Sequence, residues 1–226
     1  MNFLSHFYFD RYNRNPYETL GCLLPDLVKN TDRKWNIYPE KLNPEVFSNY
    51  SHQQILSGWK KHLQVDKLFH SSEFFLHHQH QLKQSLKVIL NGSPVKPFFL
   101  AHIGVELLLD SLLINLGKVD VDNLYHQLTQ VDEDVLNQFL QINRIEDIQR
   151  FDKFYKSFMK EKYLWSYADD HKISYSLKRI CLRIWDHPFS AEQENELTAV
   201  LGDYKIKLSQ DFIFIFDFIA AKLNHD

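Results

Sequence analysis

Two rows of ionisable residues share one spacing. His62, Asp66 and His70 follow one another at intervals of four, and His102, Glu106 and Asp110 repeat the pattern. That interval stacks side chains on a single face of an α-helix. An imidazole and a carboxylate so placed can both bind one divalent cation, because nitrogen and oxygen donors both suit borderline metals. Two antiparallel helices facing each other through these rows would gather as many as six ligands. Each row also has a plainer reading, as a solvated polar face or as a buried histidine–carboxylate pair. The second row is the sharper of the two. Residues 98–116 are otherwise almost wholly apolar, and an ionisable group on such a helix is costly to bury unless it is paired or binds a metal.

The run His77-His78-Gln79-His80 has the composition of a metal tract. Neighbours in sequence point to different sides of a helix, so these residues are expected to be mostly solvated. No Gly-rich phosphate loop and no G-x-S-x-G elbow occurs, which leaves no local case for a serine or cysteine nucleophile. Lys60, Lys61, Arg179 and Arg183 are the cations considered for phosphate contacts, with Lys61 and Arg179 foremost; ordinary surface charge is the competing reading for all four.

The elements that must position these rows are helices. Apolar residues at helical spacing predict a short buried helix within the first ten residues, then helices over 17–29, 51–70, 74–90 and 97–117. Pro16 suits a first helical turn, while Pro25 should bend or shorten its helix. Ser51 is a candidate cap, Asn91-Gly92 before Pro94 is a strong stop, and 30–44 reads as a surface loop. Further helices are predicted over 121–129, 132–141, 145–159 and 173–185, with Ser190 and Gln193 forming a capping box and a last helix over 204–223. Phe212-Ile213-Phe214-Ile215-Phe216 has strand-like composition, but its flanks carry helical spacing.

A 44% hydrophobic and 15% aromatic content is that of a globular chain, and six glycines with seven prolines suit long helices better than many short strands. The expectation is a single all-α domain over 1–226, a helical bundle with its metal site mainly in 1–115. A formal net charge of −3 offers no excess of cations for a nucleic-acid backbone. Cys22 and Cys181 lack CxxC spacing and read as small core residues in a reducing compartment. The amino end has no basic region ahead of an apolar run, and the apolar 212–221 stretch contains Asp217 and is too short for a membrane span. A cytoplasmic protein with neither a membrane nor a nucleic-acid partner is expected.

Three short motifs appear in order: Met1-Asn2-Phe3-Leu4-Ser5-His6, then Gly21-Cys22-Leu23-Leu24-Pro25-Asp26, then Gly58-x3-His62-x3-Asp66. Together they resemble the acyl carrier protein phosphodiesterase family over about the first 115 residues, with a weaker echo around Tyr163-Leu164-Trp165 and the helix bearing Arg179. The resemblance implies an all-helical fold related to HD-domain phosphohydrolases and a divalent metal, manganese or magnesium. It also implies hydrolysis of the phosphodiester that joins 4′-phosphopantetheine to a serine of acyl carrier protein. His6, Asp26, His62 and Asp66 match polar positions of the family. His70 stands where the family has a second aspartate, and Leu63 replaces an arginine. The family's later Asp-x3-Asp-His falls on His102-x3-Glu106-Leu107. The resulting expectation has Asp26, His62, Asp66, His102 and Glu106 as metal ligands, and His6 and His70 as general acid or base. Alternatives are a phosphohydrolase for another small phosphate ester or nucleotide, and a helical binding protein without catalysis.

Overall fold

Helix is the only regular secondary structure among residues 1–223, the part of the chain described in this computed structural model. Contacts between residues divide the chain into two compact units, each assembled from separated segments. One comprises Met1–Ser5, Lys67–Lys118 and Trp165–Asp226; the other comprises His6–Asp66 and Val119–Leu164. The helices α1 (Phe3–Tyr8) and α3 (Tyr50–His70) each contribute residues to both units.

In the His6–Asp66 and Val119–Leu164 unit, α2 (Pro16–Thr31) packs against α6 (Val121–Thr129) and α8 (Ile148–Glu161), while α7 (Glu133–Ile142) packs on α8. Asn15 starts α2 by accepting the backbone N–H groups of Tyr17 and Glu18, with Pro16 in the first turn. Pro25 does not shorten α2, which runs on to Thr31 with Leu20, Leu23, Leu24 and Leu27 buried. Core burial there outweighs the one backbone hydrogen bond that proline removes. Asn49 rather than Ser51 caps α3, its Oδ1 accepting the Ser51 N–H at 2.8 Å. The expected 30–44 loop contains a 3-10 turn, Pro39–Lys41.

In this unit α2 and α3 meet backbone to backbone. A Cβ added at Gly21 would stand 2.2 Å from the Ile55 carbonyl oxygen, and one at Gly58 would stand 2.0 Å from that of Glu18. Only glycine permits this approach, which sets Cys22, next to Gly21, against His62, one turn beyond Gly58. Gly58→Ala is therefore expected to destabilise the protein by about 2–3 kcal/mol, overpacking exceeding the ~1 kcal/mol gain in helix propensity. Urea unfolding reads this directly, and an unchanged midpoint would contradict the contact.

In the other unit, α4 (Glu73–Ile89) and α5 (Pro97–Asn115) form the main helix pair, α10 (Ala191–Leu208) packs on α4, α5 and α9 (Asp170–Cys181), and α11 (Phe212–Leu223) ends the described chain. Burial of most of its length explains why α5 has almost no polar face. It is the one helix among the described residues long and apolar enough to cross a membrane by length and composition, and 61% of that stretch is buried. Ser190 and Gln193 form the expected capping box at α10. The predicted last helix over 204–223 is instead two: α10 ends at Leu208 and α11 starts at Phe212, with Ser209 turning its hydroxyl back onto the Ile206 carbonyl. The 212–216 run is helical.

Candidate metal centre

Five of the six row residues fall into two groups of three, one of which takes His6 from outside the rows: His6 with His62 and Asp66, and His70 with His102 and Glu106. In each group one ligand atom per residue lies within 4.8 Å of the other two.

In the first group α1 supplies His6 and α3 supplies the other two. The imidazoles of His6 and His62 stack with centroids 3.7 Å apart and planes at 14°. The Nε2 of His6 is 3.3 Å from Asp66 Oδ1, and that of His62 is 3.6 Å from Asp66 Oδ2. Both rings are buried, whereas Asp66 is 33% exposed and leaves the group open on one side. His62 Nδ1 lies 2.8 Å from the Cys22 carbonyl oxygen. A carbonyl only accepts, so Nδ1 carries the proton, and a neutral ring then has its Nε2 lone pair turned toward Asp66. Burial, and then the neighbouring His6, push the His62 pKa well below the usual imidazole value. Burial also works against the Asp66 carboxylate, yet the hydrogen bond from His6 holds its pKa well below the carboxylate range. A neutral nitrogen lone pair thus faces an ionised oxygen, two donor atoms that could hold a divalent cation. The Cys22 carbonyl is the kind of outer partner that sets the tautomer of a metal-binding histidine. The residues present fit a divalent ion.

The second group is satisfied differently. The Nε2 atoms of His70 and His102 lie 3.0 and 3.2 Å from one oxygen of Glu106, and the Met1 amino group is 3.4 Å from the same oxygen. Three donors can supply that carboxylate with hydrogen bonds without a metal. Burial alone would raise the Glu106 pKa, but the Met1 amino group, His102 and His70 hold it well below the usual range. A depressed folded pKa contributes stability that is present above the ordinary Glu value of 4.5 and lost as the pH falls below it. Glu106→Gln is therefore expected to lose less stability than the parent protein between about pH 6 and pH 3. Urea midpoints across that range test it.

The remaining expected residues belong to neither group. Asp26 lines a cavity of about 260 Å³ together with His62 and Asp66. Lys61 binds Asp10 at 2.6 Å and Glu18 at 3.4 Å, so its charge is spent inside the fold. Arg179 is exposed on α9. His77 and His80 are exposed as expected, but His78 is buried with Nδ1 2.9 Å from the Tyr204 hydroxyl. Cys22 and Cys181 are both buried and free. Asp110, counted in the second row, joins neither group: its carboxylate accepts the backbone N–H groups of Leu4 and Ser5 at 3.0 and 2.8 Å and the Ser5 hydroxyl at 2.7 Å.

Sequence reasoning did not find the walls of the cavity. Trp35, Tyr38 and Trp59 line it beside His62 and Asp66, and the Trp59 indole N–H donates to Glu40 at 3.0 Å. The available signal was the pairing of Trp35 and Tyr38 with basic neighbours in a segment read as plain loop. Compared with protein-family models, with curated proteins and with solved structures, the chain matches none of them.

Proposed function

We propose that this chain is a divalent-metal-dependent hydrolase of phosphate esters, with His6, His62 and Asp66 as its metal ligands. The observation that carries the reading is the His62 tautomer: Nδ1 is tied to the Cys22 carbonyl and Nε2 is directed at the Asp66 carboxylate. Two imidazoles with one carboxylate favour manganese over magnesium, which prefers oxygen donors and keeps several waters. When bound, such an ion supplies a hydroxide at neutral pH and offsets charge on a phosphoryl oxygen. The protein's part is to hold the donors. The stacked rings of His6 and His62 are locked by burial, and the outer carbonyl keeps His62 in one tautomer. Asp66, partly exposed, is the side from which a substrate would approach. In this reading His6 is a ligand rather than a separate base.

The motifs at the amino end extend the proposal to an HD-domain-related fold and make the phosphodiester of holo-acyl carrier protein the first substrate to test. Metal analysis of protein purified without an affinity tag, followed by release of 4′-phosphopantetheine with added manganese, is the experiment. Bound metal with turnover supports it. Protein that neither binds manganese nor is stabilised by it is a helical binding protein instead. The substitutions His70, His102 and Glu106 at family acid positions, Leu107 at a family histidine and Leu63 at a family arginine favour a second substrate reading on the same centre: another small phosphate ester.

A further inference from the structure

A second cavity of the His6–Asp66 and Val119–Leu164 unit carries two guanidiniums and no acid. It lies between the turn that follows α1 and helix α6, encloses about 450 Å³, and includes none of the metal-centre residues in its lining. Arg11, Arg14 and His126 line it beside the side-chain amides of Asn123 and Gln130, and neither Asp nor Glu is among its lining residues. In a chain whose formal net charge is −3, this is a local reversal of sign. The acids closest in sequence to Arg11, Arg14 and His126 are engaged elsewhere. Asp10 and Glu18 pair with Lys61 at 2.6 and 3.4 Å and accept from the Asn13 side chain at 3.3 and 2.7 Å. Asp122 lies 3.8 Å from Lys162. Neither Arg11 nor Arg14 forms an ion pair among the described residues.

The cavity is also built in advance of any ligand. The Arg11 guanidinium stands 3.6 Å from the Tyr8 ring centroid and 4.5 Å from that of Tyr12, and it donates to the Tyr8 carbonyl oxygen. A guanidinium stacked in this way keeps the remaining N–H groups of its planar edge for an anion. The buried Gln127 joins the two walls: its Oε1 accepts the Thr19 hydroxyl at 2.8 Å, and its Nε2 donates to the Asn13 carbonyl at 3.1 Å. Two guanidiniums, an imidazole and amides offer more donors than the two oxygens of a carboxylate can use, whereas a phosphate group presents three. The volume falls within the roughly 300–1,000 Å³ of small-molecule sites, which leaves room beyond the phosphate for a small organic remainder.

We infer that this cavity binds a ligand bearing a phosphate group, at a site separate from the metal centre, with Arg11 and Arg14 holding the anion. The inference rests on these residues alone and stands apart from the hydrolase reading. Calorimetric titration of the full-length protein, freed of metal by a chelator, would compare inorganic phosphate, pyrophosphate and acetate at constant ionic strength. Phosphate or pyrophosphate is expected to bind at one site, at least about tenfold more tightly than acetate. Arg11→Gln and Arg14→Gln should each weaken that binding by about tenfold or more, since a hydrogen bond to a charged group is worth that much. Arg11→Lys keeps the charge but loses the planar fork, so it should recover only part of the affinity. Arg33→Gln, at an exposed position outside the cavity, and Asp66→Asn should leave the binding unchanged. Urea midpoints check that the arginine variants are folded, and the exposed Arg14 carries the test if Arg11→Gln is not. Absence of saturable binding by either phosphate overturns the inference, as does acetate binding equally well or an affinity untouched by both arginine substitutions. A loss in Asp66→Asn as large as that in Arg14→Gln assigns the anion to the metal centre and overturns it too. Arginine-dependent phosphate binding in a protein without manganese-dependent turnover supports this site while removing the hydrolase reading.

Discussion

Alanine at His62 or asparagine at Asp66 is expected to lower manganese-dependent turnover by on the order of a thousandfold. Outer partners of metal ligands are each worth about 10–100-fold, and a ligand itself counts for more. The two substitutions act on different atoms of one centre. His62→Ala removes a buried ring and leaves the Cys22 carbonyl without the partner it has at 2.8 Å, so some loss of stability accompanies the loss of activity. Asp66→Asn keeps the volume of a residue that is one-third exposed, which separates the site from the fold. The second readout is thermal. If the proposed centre binds manganese, the ion at about 100 times its Kd is expected to stabilise the native protein by about 2.7 kcal/mol, or roughly 5–10 °C in Tm for a chain of this size. Asp66→Asn should erase that increment while unfolding near the Tm of the metal-free parent. His77→Ala, an exposed neighbour in the histidine run, should change neither quantity. If Asp66→Asn keeps both the manganese increment and full turnover, the centre lies elsewhere.

Asp110→Ala carries the largest expected loss of stability, about 3–4 kcal/mol, lowering Tm by roughly 6–15 °C. Asp110 is fully buried, and each of its oxygens is used. Oδ2 accepts from the Leu4 N–H at 3.0 Å and the Asn2 side chain at 2.9 Å; Oδ1 accepts from the Ser5 N–H and hydroxyl at 2.8 and 2.7 Å. The carboxylate thus terminates the amino end of α1, where backbone N–H groups have no partner within the helix. Alanine strands those donors in the interior. Asparagine fits the space but sets an amide N–H against donors, so Asp110→Asn should recover little of the loss. Burial pushes the Asp110 pKa up to about 6 despite these donors. A raised carboxyl pKa means the folded state holds the proton more tightly, so this group's contribution falls as the pH rises from about 4 to 6 and stays constant above. Calorimetry at neutral pH reads the substitution free of that titration. An Asn variant as stable as the parent would remove the carboxylate from this role.

Much of the helical architecture was legible in residue chemistry. Asn91-Gly92 before Pro94 and the Ser190–Gln193 box act through local hydrogen bonds, which a short stretch of chain determines by itself. Errors came where tertiary burial overrode a local rule, as at Pro25, or where helical spacing ran across a break, as at Ser209 within the expected last helix. The site was legible in part. Period-four spacing shows that His62 and Asp66 share a face, and His102 and Glu106 another, because that follows from helix geometry alone.

Which residue stands opposite each face was not encoded locally. His6 comes to His62 across 56 positions of chain, and Cys22 across 40. Both meetings depend on helix packing, the second on two glycines that let α2 and α3 touch. His70 turns to His102 and Glu106, and Asp110 leaves its row to accept the amino end of α1. The sequence by itself determined where helices start and which ionisable residues lie in register along them. Only the tertiary structure decided how those residues divide into groups and which carboxylate has its donors from the protein. Register is a property of one helix, whereas a ligand set depends on side chains that only long-range packing brings within a few ångströms.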